Sequence, residues 1–158
     1  SRLDQVTQGK SDSMTGVDLA GLASEECSRS EIALDMRSAQ SLQMQGVEVL
    51  LRRMMRNLID NAIRHGGAIE EVVMRLRPIE GGRVRIEVTD RGPGVPAEFL
   101  EKIFEPFYRL PGRSEWQGGT GLGLTLVRSI ARHHGGVVRC ELQAGGGACF
   151  VVELPLKA

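Results

Sequence analysis

Apolar and polar positions change period several times along this chain, and each change marks an element. VDLAGLASEECS (17–28) predicts a short strand feeding a helix, after which Ile32, Leu34 and Met36 alternate with polar residues as in a half-buried strand. From about Val47 to His65 the period becomes helical: Leu51, Met55, Leu58 and Ala62 share one stripe, Asn57, Asn61 and Arg64 another. Gly66-Gly67 stop that helix in C-cap position. Val72, Met74 and Leu76, then Val84, Ile86 and Val88, alternate again around the hairpin loop PIEGG. Asp90 opens the loop DRGPGVP, and Ala97 to Ile103 predicts a short helix. A glycine run launches a helix over 121–134, and VVRCEL and ACFVVEL predict two last strands around AGGG. The expected fold is an α/β (α+β) two-layer sandwich, a mixed sheet of about five strands covered on one face by three helices.

Residues 1–8 (SRLDQVTQ) predict the end of a longer helix, and a linker follows to residue 16, so the chain reads as cut from something larger with its folded unit over 17–158. At 158 residues this is one domain with a full core. Lys+Arg and Asp+Glu both number 20, which points away from a nucleic-acid partner. Cys27, Cys140 and Cys149 are odd in number, far apart and without a CxxC pair, which suits a reducing cytoplasm and argues against zinc. No apolar run approaches the roughly 20 residues that span a bilayer, so no membrane contact is expected of this fragment. Of the 20 glycines, 14 fall between Gly81 and Gly147, which places the expected function in the loops of the second half.

The run GGTGLGL before a helix suits an anion, because backbone N–H groups and the positive end of the helix dipole can approach a phosphate there. It is neither of two common phosphate loops. A P-loop needs a lysine after its last glycine, and none lies between Lys102 and Lys157. The dinucleotide fingerprint needs a glycine three residues after its second; Leu124 and Leu126 occupy those positions.

Other candidate chemistry comes with competing structural readings. Asn57 and Asn61 at i and i+4 with Arg64 are either a solvated face or a set of amides for a hard cation beside a guanidinium for a phosphate. Asp90, at a strand end beside Gly92 and Gly94, is either a turn residue or a carboxylate that accepts from the exocyclic amine of a planar ligand. Phe104 and Phe107 of FEPFYRL read as packing anchors, and Arg109 after them either lies on the surface or swings onto a terminal phosphate.

Taken together, NxxxN in RNLIDNAIRHG, then DRGPGVP, FEPFYR and GGTGLGL, in this order and spacing, resemble the N, G1, F and G2 boxes of the catalytic ATP-binding domain of sensor histidine kinases. The resemblance covers roughly residues 17–156, and RLDQ resembles the end of that family's dimerisation helix. It implies the Bergerat fold of the GHKL superfamily, shared with gyrase-type, chaperone and mismatch-repair ATPases, and it implies ATP and Mg2+ as ligands. Asp90 is then expected to hold the adenine amine, with Gly92, Gly94 and Val95 beside the ring and the glycines permitting its close approach. Asn61, with Asn57, is expected to ligate Mg2+, and Arg64 and His65 to line the phosphate channel. Residues 110–120 are the expected lid. Gly119, Thr120, Gly121, Leu122, Gly123 and Leu124 are expected to wrap the phosphates with backbone N–H groups, and Arg64 and Arg109 to neutralise charge during transfer.

The same resemblance separates kinase from hydrolase. The ATPases and related serine kinases place a glutamate four residues before the magnesium-binding asparagine, as general base; here that position is Asn57, an amide that cannot accept a proton at neutral pH. Transfer to a nucleophile brought by another domain is therefore expected. The family's acceptor is a histidine usually followed by an acidic residue, and none of His65, His133 and His134 has an acidic neighbour. The acceptor is expected on the parent's own dimerisation domain in a homodimer, with a response regulator downstream and a parent in the bacterial inner membrane. A non-enzymatic ATP sensor and a serine kinase are the alternatives. Two departures stand out: Arg64 where lysine is also common, and a short interval between Cys27 and Ile32 that predicts a stunted first helix.

Overall fold

The computed structural model describes residues 14–36, 41–108 and 122–157. Strand β1 (Thr15–Asp18) passes directly into helix α1 (Leu19–Ser30), because Asp18 ends the strand in extended backbone and its Oδ1 accepts from the Gly21 amide at 3.1 Å as N-cap. The first helix is not stunted; it has 12 residues. The interval after Cys27 is short because Glu31 alone turns the chain: it adopts left-handed backbone (φ 58°) and its amide returns to the carbonyls of Cys27 and Ser28. Strand β2 (Ala33–Asp35) follows at once.

Strand β3 (Gln43–Gly46) pairs antiparallel with β1 as a separate two-stranded ribbon. The sequence pattern misses it, since QMQG offers one apolar side chain, the buried Met44. Helix α2 (Glu48–His65) buries Leu51, Met55, Leu58 and Ala62 as its stripe predicts, and ends at Gly66. Strands β4 (Val73–Ile79) and β5 (Arg83–Thr89) form the expected hairpin, except that Pro78 lies inside β4, opposite Val84, rather than in the loop. The predicted helix over 97–103 is instead two 3-10 turns, Ala97–Phe99 and Lys102–Phe104, closed by bonds such as Phe99 N to Pro96 O and Glu105 N to Lys102 O. Helix α3 (Gly123–His133) and strands β6 (Val137–Leu142) and β7 (Ala148–Pro155) complete the described chain.

The main sheet has five strands in the order β2-β4-β5-β7-β6, with β2 parallel to β4 and the other pairs antiparallel. Its inner face, including Met74, Ile86, Val88, Phe150 and Val152, joins the buried stripes of the three helices in one core. Its outer face carries an ion-pair ladder instead of a second layer. Arg139 reaches Glu141 and Glu153 at 2.7 and 2.8 Å, Arg83 reaches Glu153 at 2.9 Å, and Arg85 pairs with Glu87 and Glu141. They range from Arg85–Glu87, whose side chains are 17 and 14 % exposed, to Arg139–Glu141 at 39 and 37 %, and an open pair of the latter kind is worth at most about 1 kcal/mol. Between α1 and α2 the buried Glu26 accepts from Arg29, Arg52 and Arg56. Burial pushes that carboxyl upward, and the guanidiniums outweigh burial and hold it below its usual range.

Helices α2 and α3 run antiparallel and are tied at two places. At one, His134, which caps α3, accepts the Val47 amide on Nε2 at 3.0 Å while Nδ1 lies 2.8 Å from the Ile130 carbonyl. That pattern requires the neutral Nδ1–H tautomer. Burial lowers the imidazole's pKa, and the His133 ring, 5.3 Å away, adds to the shift against the Ile130 bond. A His with a depressed folded pKa contributes stability that is complete above its ordinary value of about 6.5 and lost as pH falls toward the folded value. The urea midpoint of the wild type should therefore fall between pH 7.5 and pH 5.5, and His134→Gln, which keeps an acceptor but does not titrate, should show a smaller fall over the same range.

Candidate functional site

The site forms where the C-terminal half of α2, the loop after β5 and the start of α3 meet. On α2, Asn57, Asn61 and Arg64 share one face as the 3.6-residue period requires; Asn57 and Asn61 are half-buried and Arg64 is exposed. His65, half-buried, closes the helix. Asn57 Nδ2 donates to the Gly123 carbonyl at 3.3 Å, which is the second tie between the two helices. That bond directs the amide nitrogen at α3 and leaves Oδ1 as the acceptor atom of Asn57.

Asp90 is 3 % exposed at the end of β5. Its Oδ1 accepts two backbone amides, Gly92 N at 3.0 Å and Ala148 N at 3.1 Å. A carboxylate so buried and so donated to has a fixed direction, unlike an ordinary turn aspartate. The neighbouring glycines also have a requirement within the protein. A Cβ on Gly92 would lie 2.5 Å from the His65 carbonyl oxygen, and one on Gly66 would lie 2.5 Å from Asp90 Cβ. Their missing side chains admit protein: the end of α2 sits on the Asp90 loop. Gly94 likewise faces the Gly147 carbonyl, where a Cβ would come to 2.9 Å. Val95 is half-buried and packs on the core.

The start of α3 is open. Among the described residues no side chain caps it, and no acidic residue lies in its first turn. A Cβ on Gly123 would meet no atom within 4 Å, Leu122 is half-buried, and Leu124 packs on the core. Arg109, Gly119, Thr120, Gly121 and the expected lid of residues 110–120 lie outside the described residues. The expected first residue of α3, 121, does too, and the helix as described begins at Gly123.

Of the two phenylalanines expected to anchor FEPFYRL, only Phe104 does so. It is buried, meets Phe150 edge-on at 6.2 Å, and its carbonyl accepts from the buried Thr125 hydroxyl at 2.9 Å, a tie to α3 that no sequence signal announced. Phe107 is 68 % exposed in left-handed backbone (φ 62°), because the chain turns outward after Pro106 while Tyr108 folds back against Phe99 at 6.1 Å. The three cysteines do no chemistry here: burial pushes Cys27 and Cys149 to about 11 and Cys140 to about 12, so all stay protonated thiols. Among the described residues no group of three or more His, Cys, Asp or Glu side chains could hold a metal, which leaves the amide oxygens of α2 as candidates for a hard cation.

Residues 46–158 match the family model for histidine kinase-, DNA gyrase B- and HSP90-like ATPases. The sensor-like histidine kinase SenX3 of Mycobacterium tuberculosis is 36% identical over 152 residues, which cover 90% of this chain and 36% of the relative. The chain thus spans about a third of the length of the curated relatives it matches. Among solved structures, the mycobacterial sensor histidine kinase MprB superposes with a TM-score of 0.77 at 27% identity, covering 91% of this chain and 98% of that one. Full-length ShkA in complex with AMPPNP gives 0.78 at 31% identity, covering 92% of this chain and 32% of that one.

The two glycine environments make opposite expectations. Gly92→Ala should lower the unfolding free energy by about 1–3 kcal/mol, since backbone must move to admit the methyl. Gly123→Ala should leave it within about 0.5 kcal/mol. Urea denaturation of the two variants side by side checks both.

Proposed function

The chain belongs to the histidine kinase-, DNA gyrase B- and HSP90-like ATPase family, as the ATP-binding catalytic domain of a sensor histidine kinase, and we propose that it donates the γ-phosphoryl group of Mg-ATP to a histidine on a dimerisation domain outside these residues. What carries this reading is the meeting of a buried, directed carboxylate, a helix face of two amides and a guanidinium, and an uncapped helix start within one junction. A purine amine, a hard cation and a polyphosphate need those three surfaces in that order.

In this reading Asp90 accepts from the adenine amine, and Val95 and Leu124 contribute apolar surface near the base. The amide oxygens of Asn61 and Asn57 fit Mg2+, a hard cation that takes oxygen ligands. Bound there, Mg2+ neutralises phosphate charge. Arg64, His65 and Arg109 face the phosphates, and the N–H groups of residues 119–124 wrap them at the start of α3. Transfer then needs positioning more than proton chemistry. An imidazole nitrogen of the acceptor attacks the γ-phosphorus, the P–N bond forms as the bond to the β–γ bridging oxygen breaks, and ADP leaves with that electron pair. Asn57 has no proton affinity to activate water, so hydrolysis is not favoured. Residues 1–16 are assigned to the end of the dimerisation helix and its linker. The parent is assigned to the bacterial inner membrane, with this domain in the cytoplasm and a response regulator downstream. No helix among the described residues is long and apolar enough to cross a membrane.

Titration calorimetry separates the two ends of the site. Asn61→Ala should remove the Mg2+-dependence of ATP binding. Asp90→Ala should weaken Mg-ATP by about 10–100-fold, the worth of a hydrogen bond to a charged group. Unchanged affinity in both would overturn the assignment. With γ-labelled ATP and the parent's dimerisation domain added, acid-labile label on histidine supports the kinase. Label on serine, or nucleotide binding with no label transferred, sinks it.

A further inference from the structure

The β6–β7 hairpin, through loop residue Gln143 and Ala148 at the start of β7, is far from Asp90 in sequence but bonds its amide, its carbonyl and one carboxylate oxygen. The Asp90 amide donates to the Ala148 carbonyl at 3.1 Å, and Ala148 N donates to Asp90 Oδ1 at 3.1 Å. Gln143 Nε2 donates to the Asp90 carbonyl at 2.6 Å, and also to the Gly146 carbonyl at 3.1 Å. Arg91 Nη1 holds the Ala144 carbonyl at 3.1 Å, so the two loops are sewn together from both sides. They also touch through backbone: a Cβ on Gly147 would fall 2.0 Å from the Asp90 carbonyl oxygen, a contact only glycine permits.

Of these ties, that of Gln143 to Asp90 is the one a side chain of the hairpin makes to Asp90 itself, so it can be removed without altering the hairpin backbone. We propose that Gln143 is a positioning residue that sets the base preference of this site, by fixing the Asp90 carbonyl and thereby the direction of its carboxylate. The proposal rests on the reading of Asp90 as acceptor of the adenine amine. A fixed acceptor favours a purine that presents an N–H donor at the six position. It rejects one that presents a carbonyl there, since two acceptors then face each other without a proton between them. With its backbone carbonyl released, Asp90 keeps the Gly92 and Ala148 amides on its carboxylate but shifts against the base, and so loses part of the first bond and part of the second penalty. Releasing Gln143 therefore weakens the amine-bearing base and spares the keto one, whereas general loosening of the pocket weakens both.

The test measures Mg-ATP by calorimetry and Mg-GTP by displacement of a fluorescent ATP analogue, for Gln143→Ala and for Gln143→Met, which keeps the length but lacks the donor. Mg-ATP should weaken about five- to tenfold, the worth of about one hydrogen bond, with Mg-GTP changed less than about twofold. The preference for ATP narrows accordingly. Equal weakening of both nucleotides, or no change in either, overturns the proposal. Asp90→Ala is the companion: if it abolishes the preference while the Gln143 variants keep it, only the role of Gln143 falls. If it keeps the preference, the reading of Asp90 falls and the proposal with it.

Discussion

The geometry of this domain depends on three backbones meeting around one carboxylate. The end of α2 presses on the Asp90 loop through Gly66 and Gly92, and the β6–β7 hairpin presses on the same loop through Gly147. Each approach is closer than any side chain permits. Asp90 lies between them, buried, with its amide, its carbonyl and one carboxylate oxygen all bonded to protein. Burying a carboxylate without donors is costly, and here backbone amides supply them, so the cost is offset by groups that cannot rotate away. The same contact sets where α2 ends relative to Asp90. The spacing between Asp90 and the amide face of α2 is thus a property of the packed fold.

The start of α3 is positioned by a different device. Helices α2 and α3 are tied at Val47–His134 and at Asn57–Gly123, with buried stripes between, so their relative position is set along most of α3. Yet among the described residues no side chain caps the start of α3. A helix start ordinarily gains about 1 kcal/mol from a Ser, Thr, Asp or Asn side chain that takes up its leading amides. Forgoing that gain makes sense where an anion supplies it, and a polyphosphate brings both the acceptor oxygens and the negative charge that the helix dipole favours.

Much of this was legible in the sequence because it follows from periodicity. The apolar stripe of α2, the alternation of β4 and β5, and the shared face of Asn57, Asn61 and Arg64 come from one rule applied to consecutive residues. What was illegible depends on partners distant in the chain. β3 exists because β1 offers it an edge, Phe104 is held by Thr125 from α3, and Gly92 is glycine because of His65. The last is instructive: the turn pattern singles out Gly92, but its packing requirement faces the end of α2, which no local pattern reveals. Phe107 failed for a related reason. Hydrophobicity predicts a buried side chain, but left-handed backbone at that residue turns it out. The first helix failed because a single residue, Glu31, made a turn for which the sequence offered no glycine or asparagine.

Asn57 connects the choice of chemistry to the architecture. In the hydrolases that this family resembles, the matching position is a glutamate that takes a proton from water. Here the side chain's nitrogen donates to the Gly123 carbonyl, a bond that an ionised glutamate cannot make, since it has only acceptors to offer. Placed against that carbonyl, a carboxylate is repelled, and the tie between α2 and the start of α3 is lost. An amide divides its two atoms: its nitrogen holds the start of α3, and its oxygen remains as an acceptor. The absence of a base then follows from the donor that the helix junction requires. Turning this site into a hydrolase therefore takes more than adding a carboxylate at residue 57, because another group has to replace the bond to Gly123.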